Sequence, residues 1–155
     1  MKKIIIIIFL FTSLNNCGFK IAENKELKGY LISKIDTYGE SRINYQIKSM
    51  LNTKSEVNSE RKLKITLNTK KEKKVKEKNI NNEITKYQMN VTTNVVFEDI
   101  SQKLSSNFTI NVSGEFRVLE NHIQTINNEK KLRKNLANEI TDKIITELSD
   151  KLNDL

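Results

Sequence analysis

Hydrophobic positions along the chain recur at two different periods, and the switches between them outline the fold. Tyr30 to Ile35 has the composition of a short first strand, and Asp36 to Gly39 reads as the turn that ends it. Ser41 is placed to cap a helix in which Ile43, Ile47, Met50 and Leu51 recur at spacings of three and four. Asn52 to Glu60 is polar and predicts a loop. Leu63, Ile65 and Leu67 then alternate with lysine, threonine and asparagine, the pattern of a strand with one buried face. Tyr87, Met89, Val91, Thr93, Val95 and Phe97 share one parity; Leu104, Phe108, Ile110, Val112, Phe116 and Val118 share the other. Asp99 to Gln102 lies between these two runs and suits a hairpin, while Gly114 predicts a bulge or bend.

Long antiparallel strands with one greasy face need a cover. Leu132, Leu136, Ile140, Ile144, Leu148 and Leu152 supply it, forming an unbroken row four residues apart. Such a row drifts by about 40° per step around a helix, and Ala137 and Ile145 widen it into a broad face. The predicted class is therefore α+β: a four-stranded, mainly antiparallel sheet with two helices packed on one face, in the order β-α-β-β-β-α. Residues 30–155 make one domain, since 155 residues are too few for two comfortable cores.

The first residues follow another logic. Met1-Lys2-Lys3 precedes Ile4 to Phe11, which contains no polar residue. A basic start followed by a short apolar run is the layout of a secretory signal, and the run is too short to span a bilayer. The chain's single cysteine, Cys17, follows shortly after, beyond Thr12 to Asn16. Leu14-Asn15-Asn16-Cys17 resembles the bacterial lipobox in the leucine three residues before the cysteine, and departs from it at Asn15 and Asn16, where small residues are usual. The resemblance implies a signal peptide over 1–16, diacylglycerol on the Cys17 thiol, and a lipidated tether over 17–29. By the sorting rule that comes with it, Gly18 implies the outer membrane.

Composition narrows the chemistry. Charged residues make up 30% and hydrophobic ones 37%, which fits a modest core rather than a disordered chain. Two of the eight net positive charges, Lys2 and Lys3, belong to the leader, which leaves +6 on the mature chain and favours anionic partners. One histidine, His122, and one cysteine give little material for a metal site or a nucleophile with its base, so neither an enzyme nor a cofactor is expected. His122 falls between strand and helix and reads as a surface loop residue. Asp142 and Asp150 sit among lysines on a helix and read as solvated charges. The one basic constellation is Lys70, Lys71, Lys73, Lys74, Lys76 and Lys78. It reads either as a solvated strand end and hairpin loop, or as clustered ammonium groups that hold phosphate groups of a partner. Nucleic acid is not expected, because the lysines lack interleaved aromatic groups and the chain is exported. Thr92, Asn94, Thr109, Asn111 and Ser113 would form a band of small neutral polar groups on the outer sheet face.

With these elements in order, the chain resembles the lipopolysaccharide-assembly lipoprotein family LptE, in its alphaproteobacterial form. Cys17-Gly18-Phe19-Lys20 is similar to that family's start of the mature protein, and Ile21 departs from it where proline is usual. The wider likeness covers residues 30–152: a strand and helix, the Lys62–Leu67 strand, the strand centred on Tyr87, a long third strand, and a last helix that opens with Lys131 to Ala137. The resemblance implies two helices on a four-stranded sheet and no catalysis. It also implies a plug in the lumen of the outer-membrane barrel LptD that binds lipopolysaccharide and helps assemble the barrel. A periplasm-facing lipoprotein acting as chaperone or adaptor, without a barrel, is the alternative.

Overall fold

A computed structural model describes Leu27, residues 29–56 and residues 58–153. The expected signal peptide, Cys17 and most of the expected tether lie outside the described residues. The elements are β1 (Tyr30–Gly39), α1 (Ser41–Thr53), β2 (Arg61–Lys78), β3 (Ile84–Asp99), β4 (Leu104–Arg117) and α2 (His122–Asn153). The strands stand side by side in chain order. β1 runs parallel to β2, with α1 as the crossover between them, and the other two pairings are antiparallel. This is the predicted α+β arrangement, two helices against one face of a mixed sheet.

Alternation decides which face that is. Leu63, Ile65 and Leu67 of β2, Met89, Val91, Val95 and Phe97 of β3, and Ile110, Val112 and Phe116 of β4 are buried under the helices. Ile43, Ile47 and Leu51 of α1 meet them, as do Leu136, Ala137, Ile140, Ile144, Ile145, Leu148 and Leu152 of α2. Thr69 and Thr93 also face inward, and their hydroxyls lie 3.0 Å apart, so each satisfies the other. At the sheet end where β1 begins, the buried Asp99 carboxylate holds Arg61 at 3.0 Å and accepts the backbone N–H groups of Ser101 and Gln102 at 2.9 and 3.3 Å. Arg61 in turn lies 4.4 Å from the centre of the Tyr30 ring.

Several local expectations need correction. The first strand does not stop at Ile35. Asp36 to Gly39 continue pairing with Thr66 to Thr69, and only Gly39, at φ +86°, turns the chain. There Glu40 N–H donates to the Thr69 carbonyl at 2.9 Å. The N-cap of α1 is Glu40 rather than Ser41; neither Glu40 nor another side chain caps it, because the Glu40 carboxylate is drawn 3.3 Å from Lys71. Gly114 makes no bulge: it pairs in regular register with Met89. A side chain there would collide with Leu132 Cδ1, so the glycine admits α2 close to the sheet. His122 is exposed as expected, but it is the first residue of α2 rather than part of a loop. Asn121 caps that helix, its Oδ1 accepting Ile123 N–H at 2.9 Å.

Candidate functional site

The lysine-rich stretch is strand, not hairpin loop. β2 continues through Lys78, and its 18 residues reach about 60 Å at the usual strand rise. β1 ends at Gly39, opposite Thr69, so from Lys70 onward β2 pairs only with β3 and its other edge is open. Lysines are a common protection of such an edge against pairing with another chain. The extension closes in a turn where Asn79 Oδ1 accepts the N–H groups of Asn81 and Glu83, and Asn82 takes φ +63°.

The strand parity does not gather the six lysines. Lys71 and Lys73 lie on the helix side, where Lys71 meets Glu40 and Lys73 meets Glu129 of α2 at 3.3 Å. Lys73 also lies 4.7 Å from the centre of the Tyr87 ring, which stacks on Phe116. On the opposite face Lys74 pairs with Glu72 at 2.8 Å, and Lys76 with Glu115 at 3.6 Å. Lys78 reaches the Asn82 amide oxygen at 2.8 Å. Lys70 alone of the six has no such partner among the described residues. Glu115 is shared with Lys86, which also holds Glu77 at 3.0 Å. The bond from Lys86 keeps the Glu77 carboxyl below the usual glutamate range, and Glu77 raises Lys86 in return. Lys74 lowers Glu72 in the same way. The run that reads as lysine-rich in sequence is therefore largely an exposed network of alternating charge.

The outer sheet face carries the expected neutral band. Thr92 donates to Asn111 at 2.7 Å and Thr109 donates to Asn94 at 2.9 Å, each pair bridging β3 and β4. Both helices lie on the other side, so this face is uncovered. β4 is an edge strand as well, and between Leu104 and Phe116 its only charged residue is Glu115.

A second basic feature escaped the sequence reading. Ser41, Arg42, Tyr45 and Gln46 of α1 face Lys130, Arg133 and Lys134 of α2 across an open cleft of about 810 Å³. Arg133 is only 7% exposed, and among the described residues it makes no ion pair or hydrogen bond. Tyr45 stands 76% exposed at the rim, and Gln46 Oε1 is buried without a partner. The only sequence signal was weak: a buried position on α2, next to the leucine row, occupied by arginine.

Among the described residues no cluster of His, Cys, Asp or Glu is arranged to hold a metal ion, and no helix is long and apolar enough to cross a membrane. The sequence matches no protein-family model and no curated protein. Solved structures do share its fold. The rare lipoprotein B of Shewanella oneidensis superposes with a TM-score of 0.57 at 9% identity, covering 78% of this chain and 97% of its own. The minor lipoprotein of Acinetobacter baumannii gives 0.51 at 13% identity, covering 77% and 94%. Lipoprotein B of Nitrosomonas europaea gives 0.51 at 14% identity, covering 88% and 96%, so this chain has the fold of these bacterial lipoproteins over nearly their whole length.

Proposed function

We propose that the chain is an outer-membrane lipoprotein, anchored by lipid on Cys17, that seats in the lumen of an LptD-like barrel and assists lipopolysaccharide assembly there. The uncovered sheet face carries this reading. It offers hydroxyls and amides whose strongest hydrogen bonds are already made within the sheet, and it places little charge at the centre of β3 and β4. A barrel lumen is polar, and such a face docks there with little charge to strand beyond Lys70, which stands opposite Thr92. The shared fold of the lipoproteins above supports the same reading, as does the start Cys17-Gly18-Phe19-Lys20.

Chain direction adds an orientation. β1 begins beside Arg61, so the tether joins the sheet at the end opposite the Asn79–Glu83 turn. The lysine-bearing extension then points away from the leaflet that holds the lipid, toward whatever enters from the far side. Lys70, the one lysine of the six without a partner, is the first candidate there for a lipopolysaccharide phosphate.

Affinity isolation of the lipidated chain from outer membranes tests the reading directly. A large barrel protein should be recovered in fixed proportion. Replacing Asn94 and Thr109 with lysine, which puts charge in the middle of the neutral face, should abolish that recovery while leaving the fold intact. Recovery of soluble periplasmic proteins without any barrel would overturn the plug and favour the chaperone or adaptor.

A further inference from the structure

The cleft between the helices has a composition unlike the rest of the surface. Four cations, Arg42, Lys130, Arg133 and Lys134, line it with no carboxylate among them. Elsewhere on this molecule lysines are interleaved with glutamates at 2.8 to 3.6 Å. None of the four cleft cations has an ion pair or hydrogen bond among the described residues. Glu40, the acid at the start of α1, is already engaged by Lys71 outside the cleft. α1 has no acidic residue in its first turn and no side-chain cap, so its free N–H groups and its dipole add positive potential at the same place.

Arg133 makes this more than a basic patch. Its stem is packed between the helices while its guanidinium nitrogens still reach the cleft, so donors without a protein partner among the described residues are held facing whatever enters. Beside it the Gln46 amide is also unsatisfied. It accepts from a ligand hydroxyl as it stands, or donates after a half-turn of the amide. Tyr45 presents an open ring at the rim, a platform on which the apolar face of a sugar can rest.

We propose that this cleft binds a phosphate-type anion. Arg133 forms the floor of the site, while Arg42, Lys130, Lys134 and the first turn of α1 form its walls. Planar, fixed donors on Arg133 and Arg42 suit bidentate contact with phosphate oxygens. Free phosphate and the phosphate of a glycosyl headgroup share this chemistry, and Tyr45 distinguishes them, because its open ring has a use only if a sugar accompanies the anion. The site is independent of the sheet face and stands whether or not a barrel partner exists.

The test is titration of the full chain, held in neutral detergent at low salt, with inorganic phosphate, glucose 1-phosphate and glucose, followed by calorimetry. Glucose 1-phosphate is expected to bind and glucose is not. Arg133→Met should weaken binding at least tenfold without lowering the thermal midpoint, because methionine keeps the packed stem and removes only a charge that has no partner among the described residues. An arginine with a purely structural role would do the reverse. Should that variant fail to fold, Arg42→Gln with Lys134→Gln, both exposed, must still weaken binding. Tyr45→Ala should affect glucose 1-phosphate alone; equal binding of inorganic phosphate, untouched by that change, assigns the site to free phosphate. Absence of binding by either anion, or wild-type affinity in the Arg133 and the rim variants, would overturn the proposal.

Discussion

Gly114→Ala should change sign with its surroundings. In the middle of a strand, glycine is ordinarily about 0.5–1 kcal/mol less stabilising than alanine, because it has more backbone freedom to lose. Gly114 has ordinary strand pairing with Met89, and its backbone accepts a side chain. The obstacle is one atom of another element: a Cβ would overlap Leu132 Cδ1, while Leu132 Cγ and Leu136 Cδ2 lie at a comfortable 3.5 Å. Leu132 is half-buried and can move, so overpacking should outweigh the backbone gain and leave a net loss of about 1–2 kcal/mol. Leu132→Ala alone should cost about 1–2 kcal/mol, below the range for a fully buried leucine. In that background the overlap is gone, and Gly114→Ala should now stabilise by about 0.5 kcal/mol. The coupling across the four chains is then about 1.5–2.5 kcal/mol, well above the scatter expected of independent sites. Equilibrium urea unfolding followed by circular dichroism measures it. Equal destabilisation by Gly114→Ala in both backgrounds would show that α2 does not rest on the sheet at this point.

Other consequences can be checked on the same footing. Gly39→Ala should cost more than about 3 kcal/mol, since it adds a clash with the Thr69 carbonyl to a left-handed backbone, whereas Gly29→Ala, left-handed but in open space, should cost about 1–2 kcal/mol by the same unfolding assay. Asp99→Ala should cost about 2–4 kcal/mol, because it removes the buried partner of Arg61 and the acceptor of two N–H groups in the β3–β4 turn; Asp99→Asn should cost less. Carbon-detected titration should find the Glu77 carboxyl below the usual glutamate range, and Lys86→Met should return it there. The contribution of Glu77 to stability is present above the ordinary glutamate value and lost as pH falls through its lowered value, while that of Lys86 is lost as pH rises through its raised one.

The six elements and their inward faces were legible because they depend on short-range periods. Alternation in Tyr87 to Phe97 fixes which side of β3 is greasy whatever its neighbours are, and the four-residue row from Leu132 to Leu152 does the same for α2. Punctuation was less legible. The residues Asp36 to Gly39 carry turn chemistry, yet all four remain paired in the strand because β2 offers a complete parallel ladder there, and backbone pairing outweighs local preference. Gly114 predicts an interruption from sequence alone, but a glycine in a strand has two explanations, a bend or a close neighbour. Only the position of Leu132 separates them.

Charge shows the same division. Sequence alone determined that Lys70 to Lys78 is rich in cations, and that the chain is basic. It could not say that β2 would carry these lysines to opposite faces, or that Glu40, Glu129 and Glu115, each distant in the chain, would come to meet them. Nor could it bring Arg42 beside Arg133. Element type and facing are set by neighbours a few residues away, so the sequence by itself determines them. Which charges end up paired, and which are left facing a cleft, depends on contacts between residues tens of positions apart, and only the tertiary structure decides that.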